Sequence, residues 1–215
     1  ADTHRCGDPA PCHVGIRAAV CYHHHPRKRR IRPEAPRPPL GERRWRSCFS
    51  KHLTIMDTEA LVALARLLQG QRIAALGTLR QGAPFVSMVP FVAAPDFSAF
   101  HIHISRLAHH TKDILADARV SLMVAETDIG NGDPQTLGRV SIQGTAAAMA
   151  PEDAAYAEAR ARYLERFPDA EFNFSLGDFS LFRIQPRTAR YVAGFGKIFN
   201  LELVHLKKAA AAPAG

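Results

Sequence analysis

The chain has 215 residues, 47% of them hydrophobic, and a formal net charge of +8. Length and composition indicate one globular domain with its own core and exclude a chain that is disordered throughout. No apolar run approaches the roughly 20 residues that a membrane-spanning helix needs, which excludes a helical membrane protein. The charge is uneven: residues 1–55 hold 12 Lys and Arg against 4 Asp and Glu, whereas residues 56–215 hold 16 of each.

The first 55 residues differ in composition from the rest of the chain. They contain all four cysteines, a basic run at 26–33 and no hydrophobic period of either 2 or 3.6 residues. Such a segment buries too little apolar surface to offset its ordering entropy. We therefore predict that residues 1–55 are a disordered, basic, Cys- and Pro-rich extension that the fold does not use.

Three sharper interpretations of this extension remain open. The basic run could bind nucleic acid through its phosphates, or it could be an Arg-rich targeting peptide. Cys6, Cys12 and Cys21 could join the histidines at 23–25 in a metal site. Their spacings fit no zinc pattern built from two close pairs, so we predict no metal site. We predict no nucleic-acid partner either, because the excess positive charge lies wholly in a segment that the fold does not use.

From Met56 onward, helical and extended patterns follow one another. One apolar face predicts a helix that starts at Asp57 and ends at Gly70. Alternating and β-branched residues predict strands at 73–79, 85–92 and 100–104, with turns at 80–82 and 95–96. In the third strand His101 and His103 alternate with apolar residues, which is typical of half-exposed strand positions.

The second half of this part mixes strands and helices. A helix is predicted at 106–117, then strands at 119–125 and 137–149 on either side of a loop at 128–134. A helix opening at 151–153 and ending near 167 precedes strands at 178–184 and 190–193, and residues 207–215 are predicted to be a flexible tail. Strands without a strict alternation with helices predict an α+β fold, a mainly antiparallel barrel with added helices.

The junction between strand 100–104 and the next helix is the clearest candidate for a binding site. A helix N-terminus presents unpaired N–H groups and a positive dipole end, which suits a phosphate. Ser105 can cap that end and Arg106 can add a charge-assisted contact. The pattern predicts an anion site at this junction.

Five segments resemble those of one superfamily. Segments 82–90, 105–112 and 137–144 resemble, in order and spacing, the FMN-binding split β-barrel superfamily typified by pyridoxamine 5′-phosphate oxidase. Segments 161–168 and 177–196 are similar to its haem-utilisation branch. The resemblance covers about residues 58–201 and implies a split β-barrel flavin-binding domain over residues 56–206.

The resemblance also assigns roles to individual residues. Ser87, Met88 and Val89 match a strand along the flavin edge, and Pro90 after them suits an edge where a ligand takes the hydrogen bonds. Ser105 and Arg106 match positions that hold the FMN phosphate, with Lys112 as a further cation. Arg139 matches a polar position near the flavin. The family's flavin lies between two subunits, which implies a homodimer acting on a small molecule.

These comparisons predict an FMN-binding flavoprotein and oxidoreductase whose catalytic side chains are not identified, because the cofactor carries the chemistry. The alternative is a haem-binding, haem-utilisation protein on the same barrel without flavin chemistry. Leu107 stands where the oxidases carry a phosphate-binding lysine, so pyridoxamine 5′-phosphate oxidase activity itself is not predicted. The absence of cysteine from residues 56–215 suits a reducing compartment and predicts a cytoplasmic location.

Overall fold

The computed structural model describes residues 56–213, so the predictions for residues 1–55 and for the last two residues lie outside the described part. The described helices are α1 Thr58–Gly70, α2 His109–Ala116, α3 Tyr156–Arg166, α4 Glu171–Ser175 and α5 Leu203–Ala210. The strands are β1 Ile73–Arg80, β2 Ala83–Pro90, β3 Val92–Ala93, β4 Phe100–Ser105, β5 Arg119–Ala125, β6 Arg139–Ala148, β7 Phe179–Val192 and β8 Ile198–Glu202.

The strands form one antiparallel sheet in the order β2-β1-β5-β6-β7-β4-β3, with β8 also paired to β7. β7 joins the parts of the sheet: its first half pairs with β4, its last third pairs with β8, and β6 runs along its other edge. The sheet curls into a half-barrel, and the predicted α+β split-barrel fold is confirmed. β2 ends the strand order, so one of its edges has no partner strand among the described residues.

Two cores lie on opposite faces of β4 and β7. The larger core is enclosed by the inner face of the sheet, α1 and α5, and its fully buried side chains include Leu64, Leu76, Phe100 and Ile142. The smaller core lies under α3 and contains Tyr163 and Leu181. The period-2 alternation of β4 explains the division, because successive side chains point to opposite faces.

β7 runs without interruption through Pro186, where the sequence predicted two separate strands at 178–184 and 190–193. The register of β6 against β7 shifts between Gln143 and Gly144, opposite this proline. A bulge tolerates a residue that cannot donate a ladder hydrogen bond. Only glycine fits at position 144, because β6 and β7 approach closely there. A Cβ at this position would lie 2.1 Å from the carbonyl oxygen of Gln185.

Two helices begin later than predicted. α2 starts at His109 rather than at 106, because the N–H groups of Leu107 and Ala108 bond to Ser105 in a turn. Ser105 therefore does not cap α2; the residue at the N-cap position is Ala108, which makes no side-chain cap bond. α3 starts at Tyr156, after a turn in which the Asp153 carboxylate accepts from the N–H of Ala150.

The C-terminal helix α5 extends four residues into the segment predicted to be a flexible tail. It reaches Ala210, and Ala209 is fully buried. Small side chains let α5 pack closely against α1. The end of α5 is therefore helical because of this tertiary contact rather than because of an apolar pattern in its sequence.

Candidate functional site

A serine on β2 and a histidine on α2 meet at the free edge of the sheet. Ser87 Oγ lies 3.1 Å from His110 Nδ1, and both residues are half-buried. Burial lowers the pKa of His110, Asp113 opposes the shift and His109 adds to it, so the imidazole is neutral at neutral pH. In the tautomer with hydrogen on Nδ1, Ser87 accepts that hydrogen and Nε2 keeps a free lone pair. This is the form in which imidazole binds a metal.

Asp113 fastens α2 to β1 and so holds His110 in position. Its carboxylate is 7% exposed and accepts hydrogen bonds from Thr78 Oγ1 at 3.0 Å and from two Arg80 nitrogens at 3.3 Å. Burial by itself would raise the pKa of Asp113, but these hydrogen bonds outweigh it and keep the pKa below its usual value. Pulling this buried carboxylate away from its donors would leave its charge uncompensated, which is costly, so Asp113 holds α2 firmly against β1.

The predicted phosphate residues Ser105 and Arg106 connect β4 to the turn before β7. Ser105 Oγ donates to the Asp178 carboxylate at 2.6 Å and accepts from the Leu107 N–H at 3.1 Å. The Arg106 guanidinium donates to the carbonyl of Gly177, and the Arg106 N–H donates to the carbonyl of Asp178. A phosphate at Ser105 would meet the Asp178 carboxylate, and like charges repel at this range. The phosphate role of this pair stays a prediction.

The predicted flavin-edge residues of β2 divide between two faces of the sheet. Ser87 faces α2, Val89 is 1% exposed in the larger core, and Met88 is 64% exposed on the outer face. Strand alternation prevents their three side chains from contacting one ligand together, whereas the free backbone edge of β2 remains available. Lys112 is exposed on α2 and makes no ion pair with another described residue.

Arg139 lies apart from the Ser105–Arg106 pair within one chain. Its Nη1 donates to the carbonyls of Gln135 at 3.2 Å and Leu137 at 3.0 Å. Arg139 pairs with Val192 of β7, whereas Ser105 pairs with Phe179 at the start of the same strand. The two predicted parts of the flavin site are therefore separated along nearly the whole of β7.

The prediction that His101 and His103 are half-exposed is wrong. They are 7% and 6% exposed because α3 and α4 cover this face of β4, which the strand pattern alone does not reveal. His103 stacks on Phe174 with ring centroids 3.7 Å apart, and burial together with Arg160 lowers the pKa of His103 to about 4.

Residues 61–193, more than half of the chain, match the family model described as pyridoxamine 5′-phosphate oxidase. The chain belongs to the pyridoxamine 5′-phosphate oxidase family. Within this family it resembles the chloroplastic non-canonical heme oxygenase HOZ of Arabidopsis thaliana. The identity is 36% over 136 residues, which make up 62% of this chain and 40% of HOZ. Heme oxygenase HutZ of Vibrio cholerae is 28% identical over 135 residues, which are 60% of this chain and 76% of HutZ.

A solved structure of a heme binding protein from Mycobacterium smegmatis has the same fold. It superposes with a TM-score of 0.61 at 25% identity, covering 69% of this chain and 60% of that protein. The predicted resemblance to the haem-utilisation branch of the pyridoxamine 5′-phosphate oxidase family is confirmed. The chain spans only about two-fifths of the length of HOZ.

Within residues 56–213, no group of three or more His, Cys, Asp or Glu side chains is placed to hold a metal ion. In the same range no helix has the length and apolar character needed to cross a membrane. The cytoplasmic location stays a prediction. The sequence pointed to Ser87 but not to its contact with His110, because only the packing of α2 against the sheet brings the two residues together.

Proposed function

We propose that this protein binds haem and acts in haem utilisation. This is the alternative to a flavoprotein that the sequence analysis left open. The observation that carries the proposal is that two relatives named heme oxygenase align with 62% and 60% of the chain, at 36% and 28% identity. The heme binding protein from Mycobacterium smegmatis, with the same fold, supports it.

The histidines of the described residues differ in their suitability as an iron ligand. The set is His101, His103, His109, His110 and His205. The two on β4 are buried under α3. His205 Nδ1 accepts from the Glu202 N–H at 3.1 Å, which places the hydrogen of the neutral ring on Nε2. His109 is exposed and makes no hydrogen bond to a described side chain.

His110 is the histidine whose surroundings fit haem. It is neutral, half-buried and oriented through one ring nitrogen, as metal-binding histidines usually are. Bound haem would supply the iron and its redox chemistry. The chain would supply the oriented imidazole of His110, with Ser87 holding the Nδ1 hydrogen and Asp113 fixing the helix.

Haem binding is tested by titrating haemin into the purified 215-residue chain. We expect a saturable Soret band that differs from that of free haemin. A protein that leaves the haemin spectrum unchanged over the whole titration would contradict the proposal. Non-specific adsorption of haemin is controlled by repeating the titration with protein unfolded in urea, which should not reproduce the bound spectrum.

FMN is a second candidate ligand, favoured by the family match over residues 61–193. The same purified protein distinguishes the two ligands. A flavin absorbance band, with FMN released on denaturation, would support the flavoprotein, whereas haem binding without any flavin uptake from added FMN would support the haem proposal alone.

We also propose that two copies of the chain pair through the outer face of the sheet. Met88 and Val86 are 64% and 65% exposed on β2, and Met88 lies opposite Ala75, which in turn lies opposite Met123 on β5. An apolar patch that runs across three strands, with exposed side chains on β2 and β5 and the half-buried Ala75 between them, is unusual on a monomer. A second copy placed about a two-fold axis would cover the same patch on both chains.

Met88→Asp is expected to convert a dimer into a monomer, because a buried unpaired carboxylate at the centre of an interface is costly. Light scattering after size-exclusion chromatography should give twice 23.6 kDa for the wild type and 23.6 kDa for the variant. Phe172→Asp is the matched control, since Phe172 is 69% exposed but lies on α4 rather than on β2, β1 or β5, and should leave the dimer intact. A monomeric wild type, or a dimeric Met88→Asp variant, would refute this interface.

A further inference from the structure

A cavity separate from the Ser87–His110 site lies between α3 and the loop that joins β3 to β4. Its volume is about 310 Å³, which is the lower end of the range for small-molecule sites at roughly 300 Å³ and above. One part of the wall is apolar and consists of small residues: Ala94, Pro95, Ala99, Ala155 and Ala159. The remaining wall carries charged and polar side chains, among them His101, Arg162 and Arg183.

His101 and Arg183 lie side by side on this wall. They are direct partners in the register between β4 and β7, so their side chains project from the same face, with Cβ atoms typically about 5 Å apart. His101 is 7% exposed, and its Nδ1 is buried without a hydrogen-bond partner among the described residues. Unpartnered buried polar atoms are rare and mark a place where a partner is missing.

The acidic residues of the cavity are already neutralised by partners of their own. Asp96 accepts from the Ser98 N–H at 3.0 Å and pairs with Lys207 at 3.3 Å. Glu158 pairs with Arg162 at 3.1 Å. Arg183 makes no ion pair with another described residue, so the cavity keeps one uncompensated positive charge next to His101.

The loop that forms the cavity floor is held in one conformation. Ala94 and Ala99 are joined by a backbone hydrogen bond of 2.8 Å, and Phe97, at a φ of 52°, is buried in the larger core. A preformed wall lowers the entropy cost of binding a small molecule.

We propose that this cavity binds a small organic carboxylate, with its oxygens beside Arg183 and His101 and its apolar body against the alanine-rich wall. A guanidinium binds a carboxylate or a phosphate through two parallel hydrogen bonds, and the apolar wall favours an anion that carries an apolar body. The proposal is independent of haem binding, since none of these residues belongs to the Ser87–His110 site.

Benzoate is the probe, because it joins a carboxylate to a small apolar ring. Isothermal titration calorimetry of the 215-residue chain should show saturable benzoate binding, weaker binding of inorganic phosphate and no binding of benzylamine. Arg183→Gln should weaken benzoate binding at least about tenfold. Arg187→Gln, the same change on an exposed arginine of the same strand outside the cavity, should leave the affinity within about twofold of the wild type.

Ala155→Leu provides a second variant that alters no charge. Ala155 is exposed at the cavity wall, so a larger side chain there should fill the space without disturbing the core, and benzoate binding should be lost. Absence of benzoate binding to the wild type would overturn the proposal. So would wild-type affinity in Arg183→Gln or Ala155→Leu, or phosphate binding as tight as that of benzoate.

Discussion

His110→Ala is expected to weaken haem binding at least about a hundredfold. Removing only the residue that orients a metal ligand lowers metal affinity about 10- to 100-fold, and removing the ligand itself should lower it further. The affinity is measured from the Soret band during a haemin titration. Ser87→Ala should have the smaller effect, roughly tenfold, since the imidazole would remain while the tautomer and ring orientation would no longer be held.

Two histidine variants serve as controls for this result. His109→Ala removes the exposed neighbour of His110, and His205→Ala removes the ring whose Nδ1 already accepts from the Glu202 N–H. Both should retain wild-type haem affinity. Loss of haem binding in His205→Ala together with its retention in His110→Ala would contradict the assignment of the ligand, while the haem proposal would still stand on the wild-type titration.

Gly144→Ala is expected to destabilise the protein by at least about 3 kcal/mol, at the upper end of the cost of overpacking. The new Cβ would lie 2.1 Å from the Gln185 carbonyl oxygen and 2.9 Å from its carbonyl carbon, and both atoms belong to the backbone. No change of rotamer can relieve such a contact, so β6 and β7 would have to separate at the bulge beside Pro186.

Urea denaturation measures this effect as a shift of the midpoint at constant slope. Gly70→Ala is the matched control, because a Cβ at the last residue of α1 would have no atom within 4 Å. That variant should be as stable as the wild type or more stable by up to about 1 kcal/mol, since alanine restricts the unfolded chain. Equal midpoints for the two variants would show that the close approach at Gly144 does not exist in the protein.

The family and most of the elements were predictable because they depend on local periodicity and ordered motifs. The apolar face from Leu61 to Leu68 and the alternation from Phe100 to Ile104 each identify one element without knowledge of the rest of the chain. The predicted start of α1 agrees as well, since Asp57 accepts from the Ala60 N–H at 2.8 Å.

The candidate site was only partly predictable. Ser87 was singled out from its strand, but its contact with His110 joins residues 23 positions apart through the packing of α2. The Asp178 carboxylate that accepts from Ser105 lies 73 positions away in the chain, so this contact could not be predicted from the residues of the junction. Long-range pairing of this kind leaves no local signature in sequence.

Sequence by itself determined the family, the α+β barrel and the residues available for chemistry, since these follow from short-range patterns and from side-chain type. Tertiary structure alone decided which of those residues meet. Pro186 lies inside a continuous strand because it sits at a bulge, where the ladder is interrupted and no hydrogen bond from its backbone nitrogen is required. His101 is buried and adjoins Arg183 because α3 covers β4 and because the register of β4 against β7 places the two residues side by side.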